Sequence, residues 1–505
     1  MTQLPTAPVR RALATTGLAA ALVLGVALGA SAAPTLASVT KLSLSSSNAQ
    51  GNGSNWMTGQ AVSADGRYIV FASESTTLVT GDTNGVSDIF LRDTVAGTTV
   101  RVSEAPGGVE ANGTNTEAVI SADGAWVAFS SFANNLVAGD TNGLLDIYLY
   151  EVATGAIALI SVDSAGVPGN STSTTPSISS DGRYVAFPSL SNNLIASDTN
   201  GTYDVFVRDR INGTTTRVSV ADDESEANGQ SSDPAISADG AYVAFTSFAT
   251  NLVGAGADTN GSGDVFRRDI AGGTTVRVSV PTGGGQANSN SAVDAGGISS
   301  DGSRIVFTST ATNLGPDVDF DDDVFVRDLT AGTTTLVSVA TDGTTGDLFA
   351  EKGVISADGR VVAFTSYSTN VVPGYSTGFG DVYLHELDTA ETTIVSLGAA
   401  GVAGNDSSYS PSMSGDATRV AFVSYASNLV AGDTNGFDDT FLSTLTYPTP
   451  VGGGGGSSGG ALLPPTGPDA VAAALAGTLA AGLIAAGVVA ILVARRRPAG
   501  RHASR

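Results

Sequence analysis

The sequence contains no cysteine and only two histidines among its 505 residues. Without cysteine the chain can form no disulfide bond, no thiolate metal site and no thiol nucleophile. The histidines give little support for acid–base catalysis, because His502 lies in the basic C-terminal tail and His385 lies in a short apolar segment that we interpret as a strand. No nucleophile elbow with a downstream hydrolase domain follows the central region. The sequence therefore indicates no catalytic residue.

Positive charge is also scarce, with 23 Lys and Arg against 48 Asp and Glu and a formal net charge of −25. Nucleic acid and anionic lipid both need a basic face, so neither is an expected partner. The acidity is compatible with cation binding and equally with solubility alone. Glycine contributes 63 residues and charged residues only 14%, which suits many tight turns between short strands. Composition thus favours an all-β protein.

The N-terminus predicts a secretory signal peptide over residues 1–32. Arg10 and Arg11 precede an apolar run from about Leu13 to Leu28, and small residues follow up to Ala32. A basic region, a short apolar region and small residues at the cleavage site are the parts of such a signal. An uncleaved anchor helix is the alternative, although the apolar run is short for one.

The C-terminus combines a pentapeptide, an apolar stretch at 470–494 and a basic end that begins at Arg495. The apolar stretch is long enough to span a bilayer, with the arginines on the cytoplasmic side. The pentapeptide is Leu463, Pro464, Pro465, Thr466 and Gly467. Residues 463–505 resemble the sortase-dependent LPxTG cell-wall sorting signal. The alternative is a permanent single-pass membrane protein.

The LPxTG resemblance implies where the protein resides. A sortase would cut between Thr466 and Gly467 and join the threonine to peptidoglycan. The protein would then be secreted and anchored to the cell wall of a Gram-positive bacterium, after a precursor that spans the membrane once. A Pro/Gly/Ser-rich segment at 448–462 precedes the signal and predicts a flexible linker.

Between the two ends the sequence repeats itself. A Ser-x-Asp-Gly turn recurs with its aspartates spaced by 58, 58, 58, 62, 57 and 58 residues. These aspartates are Asp65, Asp123, Asp181, Asp239, Asp301, Asp358 and, in a degenerate seventh copy, Asp416. A fixed period of this kind is typical of solenoids and propellers.

Each repeat predicts four strands. In the fourth copy they are expected at 234–237, 242–246, 264–268 and 275–280, with an Asp-Gly hairpin turn after the first. The second strand is apolar at successive positions, as expected of a strand covered on both faces, whereas the fourth alternates like an outer strand. Seven such units predict a seven-bladed β-propeller over residues 38–447 with four antiparallel strands per blade. The repeats resemble the WD40-like repeat of TolB-type propellers.

The ends of the repeat region predict how the ring closes. The last repeat reaches its third strand and then meets the linker, so its fourth strand is missing. The segment 41–44 matches the fourth-strand segment 217–220 of the third repeat. We therefore expect the N-terminal strand to complete blade seven and to cover an otherwise exposed sheet edge.

One repeated loop carries candidate metal ligands. The segment Asp-Thr-Asn-Gly-x-x-Asp lies between the second and third strands. It supplies Asp82, Asn84 and Asp88; Asp140, Asn142 and Asp146; Asp198, Asn200 and Asp204; Asp258, Asn260 and Asp264; and Asp433, Asn435 and Asp439. Blade five has a more acidic version with Asp317, Asp319 and Asp323, and blade six retains only Asp381.

These loops have two interpretations. Alternating oxygen ligands around a glycine bend suit calcium, and the pattern resembles the latter part of Asp-rich calcium loops in other propellers. It lacks the acidic residue that those loops carry two positions earlier, so backbone or water oxygens would have to complete the coordination. The same residues also suit a type I turn with no metal. Blade five is the strongest calcium candidate.

A fold does not specify a function. We predict a binding or interaction module, with an unidentified protein or glycan as ligand and calcium as a possible support. Two other classes stay open, namely a hydrolytic surface enzyme acting on glycans and a structural protein of the envelope. An asymmetric acidic cluster at one mouth of the central channel would favour the enzyme, whereas a large exposed aromatic patch would favour protein binding.

Overall fold

The computed structural model describes residues 33–254, 256–316, 320–375 and 378–448. The predicted signal peptide, the sorting signal and nearly all of the linker lie outside these residues. Within them, no helix is long and apolar enough to cross a bilayer. The described helical structure is one short 3₁₀ turn at Ala399–Gly401.

Thirty strands occur in the described residues. In chain order they are β1 (Thr35–Lys41), β2 (Asn55–Trp56), β3 (Tyr68–Ser73), β4 (Asp88–Asp93), β5 (Thr98–Arg101), β6 (Glu104–Ala105), β7 (Val109–Glu110), β8 (Asn115–Ile120), β9 (Trp126–Ser131), β10 (Asp146–Glu151), β11 (Ile157–Leu159), β12 (Ser177–Ile178), β13 (Tyr184–Ser189), β14 (Asp204–Asp209), β15 (Thr214–Arg217), β16 (Ser231–Ile236), β17 (Tyr242–Ser247), β18 (Asp264–Asp269), β19 (Thr274–Arg277), β20 (Ser291–Ala292), β21 (Arg304–Ser309), β22 (Asp323–Asp328), β23 (Thr333–Leu336), β24 (Ala350–Ile355), β25 (Val361–Ser366), β26 (Asp381–Glu386), β27 (Glu391–Ile394), β28 (Ser408–Met413), β29 (Arg419–Ser424) and β30 (Asp439–Thr446).

The strands form seven antiparallel sheets of four, which confirms the predicted all-β propeller. Blades one to six are β2–β5, β8–β11, β12–β15, β16–β19, β20–β23 and β24–β27, and blade seven is β28–β30 with β1. The small hairpin β6–β7 lies between blades one and two. In the fourth repeat the third strand begins at the predicted Asp264, whereas the fourth ends at Arg277 rather than Val280.

The two middle strands of every blade are buried on both faces, as the continuous apolar pattern predicts. Each contributes one aromatic ring, and the two rings pack together with centroids 5.8 to 6.2 Å apart. The pairs are Phe71–Phe90, Phe129–Tyr148, Phe187–Phe206, Phe245–Phe266, Phe307–Phe325, Phe364–Tyr383 and Phe422–Phe441. These rings are buried in the interior of each blade, and most of them are among the largest fully buried side chains of the described residues.

The Ser-x-Asp-Gly turn joins the innermost strand to the second. In blade one, Ser63 Oγ donates to Asp65 Oδ1 at 2.6 Å, and Tyr68 N donates to Ser63 Oγ at 3.0 Å. Gly66 adopts a φ of +69°, which a glycine accepts without strain. In the degenerate seventh copy Ala417 stands at that position with a φ of +55°, so the turn survives the loss of its glycine.

A closed belt of backbone hydrogen bonds connects these seven turns around the axis. In six blades the backbone N–H of the residue after the turn serine donates to the carbonyl of the equivalent residue in the next blade. In blade two the donor is instead the N–H of the turn aspartate, Asp123. The N–H to O=C pairs are Ala64–Ala122, Asp123–Ser180, Ser180–Ala238, Ala238–Ser300, Ser300–Ala357, Ala357–Gly415 and Gly415–Ala64, at 2.9 to 3.2 Å. The small side chains at most of these positions allow the seven turns to approach one another closely.

The N-terminal strand closes blade seven, as predicted. β1 pairs antiparallel with β30, and Lys41 lies opposite Phe441 as Arg217 lies opposite Phe206 in blade three. The strand begins at Thr35, slightly before the predicted propeller boundary at residue 38. Leu42, only 2% exposed, continues the pairing through its N–H to Thr440 O at 2.7 Å. The first and last strands of the propeller thus share one sheet.

Candidate functional site

The predicted ligands of the repeated loops are brought together by their own blade. In blade one, Asn84 Nδ2 donates to Asp88 Oδ2 at 3.0 Å, while Asn84 Oδ1 accepts from Val86 N at 3.2 Å. Asn84 therefore directs its amide nitrogen, not its oxygen, at the carboxylate. The same asparagine-to-aspartate hydrogen bond recurs in blades two, three, four and seven, at 2.8 to 3.2 Å.

In blade one an internal cation lies among these acidic groups. Arg101 Nη1 lies 3.7 Å from Asp82 Oδ1, 3.5 Å from Asp88 Oδ2 and 2.8 Å from Glu110 Oε1. Burial and the charge of Asp88 raise the pKa of Asp82 to about 6. Hydrogen bonds from Thr83 and Arg101 lower the pKa of Glu110 to about 2. The guanidinium thus supplies the positive charge that a bound calcium ion would otherwise supply.

Three other blades repeat this arrangement. Arg217 Nη1 lies 3.2 Å from Asp204 Oδ2, Arg277 Nη2 lies 3.3 Å from Asp258 Oδ2, and Lys41 Nζ lies 3.0 Å from Asp433 Oδ1. Each cation sits on the fourth strand opposite the third-strand aromatic residue, as Arg101 does.

The acidic group of blade three shows the consequence. Carboxylate oxygens of Asp198, Asp204 and Glu226 lie within 4.8 Å of one another, close enough to hold a metal ion. Arg217 Nη1 already contacts Asp204 and Glu226 from within the blade. An ion pair, rather than a vacant metal site, is therefore the economical interpretation of this loop.

In three blades an apolar residue stands at the fourth-strand position that the internal cation occupies elsewhere. In blade two the register position of Arg101 holds Leu159, and Tyr148 Oη donates to Asp140 instead. Burial raises the pKa of Asp146 to about 6. Blade five carries Leu336 at that position and blade six carries Ile394. The predicted ligands Asp317 and Asp319 of blade five lie outside the described residues.

The closing aspartate of the loop has a structural role in all seven blades, including blade six. It begins the third strand and accepts a hydrogen bond, at 2.6 to 2.7 Å, from a buried serine two residues beyond the end of the fourth strand. The pairs are Ser103–Asp88, Ser161–Asp146, Ser219–Asp204, Ser279–Asp264, Ser338–Asp323, Ser396–Asp381 and Ser43–Asp439. This shared contact explains why blade six keeps Asp381 after losing the rest of the loop.

A different site lies at the central channel of the ring. It lies on the face that carries the loops between the second and third strands, and we call this face the mouth face. The innermost strands of blades two, four, six and seven each contain a register shift. Within each shift one residue adopts a left-handed conformation, with φ between 50° and 59°: Glu117, Asp233, Lys352 and Ser410. Non-glycine residues adopt this conformation at a cost, and such strain clusters at functional sites.

These residues line a cavity of about 220 Å³, here called the cup, together with Asp294 and Pro234. The cup is closed at its base where blades one and five meet across the axis. A Cβ added to Gly59 would lie 2.1 Å from Ala295 O, and one added to Gly296 would lie 2.6 Å from Gly59 O. Only glycine permits this approach, and it separates the cup from the cavity on the opposite face.

Two charged residues of the cup are held in place by their neighbours. Glu117 Oε2 accepts hydrogen bonds from Ser130 Oγ at 2.9 Å, Thr174 Oγ1 at 2.7 Å and Thr175 N at 2.8 Å, so it bridges blades two and three. Across the cup, Lys352 Nζ lies 3.0 Å from Asp294 Oδ1.

Carboxylates outnumber cations around the cup. Asp233 and Asp294 also border an adjoining cavity with Asp322 and Glu351, and Lys352 is the one basic residue among the residues lining the two cavities. Burial raises the pKa of Asp233, Asp322 and Glu351 above their ordinary values. This charge distribution is asymmetric, because the equivalent positions of blades three and seven hold neutral Thr175 and Ser410.

Aromatic residues stand exposed on the same face. The residue that follows the second strand is Phe132 in blade two, Phe248 in blade four and Tyr425 in blade seven, each 47% to 51% exposed. In blade six Tyr367 takes this position and stacks on exposed Phe349, with centroids 4.3 Å apart. The four blades with a register shift in the innermost strand are thus the four that carry these rings.

The sequence reasoning missed the cup, although a signal was available. Six residues before each turn aspartate stand Gly59, Glu117, Thr175, Asp233, Ala295, Lys352 and Ser410. These residues share no type, so a search for repeated motifs passes over them. His385, in contrast, is a strand residue as predicted: it is 3% exposed in β26, its Nδ1 lies 2.9 Å from Thr392 Oγ1, and burial lowers its pKa to about 4.

The known proteins similar to this chain are solved structures with low sequence identity to it. No protein-family model and no curated protein matches the chain. Solved structures similar to it include an oligogalacturonate lyase in complex with manganese, with 13% identity, a TM-score of 0.48, and coverage of 82% of this chain and 96% of that one. TolB from Acinetobacter baumannii has 13% identity, a TM-score of 0.35, and coverage of 75% and 81%. The propeller domain of the Trilobed protease from Pyrococcus furiosus has 11% identity, a TM-score of 0.46, and coverage of 79% and 99%.

Replacing the internal cation of blade one tests its role. Arg101→Met should lower the free energy of unfolding by about 3–5 kcal/mol, because it leaves buried carboxylates uncompensated. The loss should be largest at pH 7 and shrink as the pH falls through about 6, since protonation then neutralises Asp82, whose pKa is already raised to that value. Denaturant melts of the intact chain from pH 4 to 7 measure both effects.

The matched control is Arg67→Met, which breaks a pair with Asp93 at 2.7 Å in which the arginine side chain is 42% exposed. An exposed pair of this kind contributes little to stability, so the loss in Arg67→Met should be much smaller. Equal losses in the two variants would show that Arg101 does no more than a surface arginine.

Proposed function

We propose that the protein is a cell-wall-anchored surface propeller that binds a ligand in the cup on its mouth face. The observation that carries the proposal is the cup itself. It is a closed-ended cavity lined by strained, non-repeating residues from several blades. Concave sites with an apolar wall and a few converging polar groups are the usual places where proteins bind ligands. The opposite mouth, in contrast, is lined mainly by small and aliphatic residues.

The anchoring part of the proposal is supported by the sequence of the two ends. The signal peptide at 1–32, the linker at 448–462 and the LPxTG pentapeptide with its apolar and basic tail occur in the order that sortase processing requires. Export, cleavage by a sortase and attachment to peptidoglycan would place the propeller outside the cell.

A substitution in the pentapeptide tests the anchoring. Thr466→Ala should move the protein from the cell-wall fraction to the membrane fraction, because sortase joins the threonine carbonyl to the wall. Immunoblots of fractionated cells measure the distribution, with Thr449→Ala in the linker as the control. Continued release of the Thr466→Ala protein by wall-degrading enzymes would contradict a sortase mechanism.

Binding in the cup is tested by screening the intact chain on arrays of glycans and short peptides. Asp233→Asn should weaken the specific signals at least tenfold, because it removes a half-buried charge from the cup while asparagine tolerates the left-handed backbone. The control is Asp388→Asn, which removes the same charge. Asp388 is exposed and follows the third strand of blade six. Signals that do not respond to Asp233→Asn would place the binding site elsewhere.

A glycan-active hydrolase is the second candidate, and the asymmetric carboxylates of the cup are the observation that favours it. Paired carboxylates can act as acid and base or nucleophile in glycoside cleavage. Glu117 is held by three hydrogen bonds and Asp294 by an ion pair, which leaves Asp233 as the most available acid of the cup. Assaying the glycan array for new reducing ends, with the same variants, separates hydrolysis from binding.

We propose calcium support for blade five alone rather than for all six acidic loops. Blades one, three, four and seven contain an internal cation, and Tyr148 contacts the loop in blade two. Blade five combines the most acidic loop sequence with Leu336 at the position where blades one, three and four carry arginine.

Calcium titration of the chelator-treated intact chain should therefore show one ion bound and a raised melting temperature. Leu336→Arg should abolish that binding by supplying the internal cation, whereas Leu159→Arg in blade two should leave it intact. Binding of several ions would contradict the argument from internal cations. If no ion bound, the blade-five loop would be a turn without a metal.

A further inference from the structure

We infer that the group entering the cup is the positively charged side chain of a basic polypeptide, held by Asp233 and flanked by the aromatic residues of the mouth face. This inference deepens the proposed function and rests on it. It follows from the charge of the cup, the character of its wall and the surface around it.

The charge of the cup is not internally balanced. The ammonium of Lys352 lies 3.0 Å from Asp294 Oδ1, so these two opposite charges balance each other. Asp233 accepts a hydrogen bond from Ser232 Oγ at 2.8 Å on its Oδ2, and within the described residues no hydrogen bond reaches its Oδ1. A cationic group with N–H donors would supply both the missing donor and the missing charge.

The carboxylates of the cup are poorly arranged for a metal ion. Across the described residues, the one set of three acidic groups whose oxygens lie within 4.8 Å of one another is in blade three, away from the cup. A metal would need several such oxygens in its first coordination sphere. An ammonium or guanidinium reaches separate acceptors through several N–H groups and so fits spaced carboxylates better.

The wall of the cup suits the stem of a lysine or arginine. Met57, Val354, Pro176, Pro234 and Pro411 line it beside the charged residues. Long basic side chains bury their methylene groups against apolar surface while the charged head reaches a polar partner. A neutral sugar would make no use of the excess negative charge.

The surroundings favour a polypeptide as the carrier of that side chain. Phe132, Phe248 and Tyr425 project from the mouth face, each about half exposed, and Phe349 stacks on Tyr367 beside them. Exposed aromatic residues around a charged centre are typical of protein-binding surfaces. The net charge of −25 would steer a basic partner towards the protein.

The test is isothermal titration of the intact chain with tetralysine at 150 mM salt (roughly physiological ionic strength). One peptide should bind per chain, and tetralysine acetylated on its side-chain amines should bind at least tenfold more weakly, because it keeps the stems and loses the charge. Asp233→Asn should weaken tetralysine binding at least tenfold. Lys352→Gln should strengthen it about threefold or more, since it removes the competing cation.

Asp388→Asn is the charge-matched control and should leave tetralysine binding unchanged, with thermal melts confirming that each variant folds. Equal weakening by Asp388→Asn and Asp233→Asn would overturn the inference, because it would show general attraction to an acidic surface. Binding of an uncharged N-acetylglucosamine tetramer that is lost in Asp233→Asn, without binding of tetralysine, would overturn the cationic ligand and preserve the cup. If the intact chain bound neither tetralysine nor the N-acetylglucosamine tetramer, the proposed function would be overturned as well.

Discussion

Closure of the ring is the constraint on which the other features depend. Seven sheets meet around one axis only if the turns between the first and second strands are small enough to pack together. In those turns Ala64, Ala238, Ala357 and Gly415 contribute to the belt of backbone hydrogen bonds. On the mouth face the same convergence brings the innermost strands together, where Gly59 and Ala295 touch across the axis. The cup exists because this contact closes the channel partway down.

The structure also shows how an acidic chain stabilises its own negative charge. Each third strand begins with a buried aspartate, and the hydroxyl of a serine just beyond the end of the fourth strand donates a hydrogen bond to it in every blade. In blades one, three, four and seven, a fourth-strand arginine or lysine adds a positive charge. Buried pairs of this kind gain little over apolar packing, but removing one partner leaves an uncompensated buried charge.

Much of the fold could be predicted because its determinants are local or periodic. The turn signals, the apolar strands such as 242–246 and the similarity of 41–44 to 217–220 all lie within short segments of sequence. The role of Arg101 could not be predicted from the loop motif, since it depends on the register of a different strand. The cup could not be predicted from repeated motifs, because Glu117, Asp233 and Lys352 occupy equivalent positions of the repeats but differ in residue type.

The position of β30 has a mechanical consequence. This last strand lies between β29 and β1 rather than at the edge of its sheet, so both of its sides are hydrogen-bonded. Tension applied through the residues after Pro448 would reach β30 directly and would have to shear two ladders at once. A strand at a free edge would instead peel away one bond at a time. Completing the last blade with the first strand therefore resists pulling as well as closing the ring.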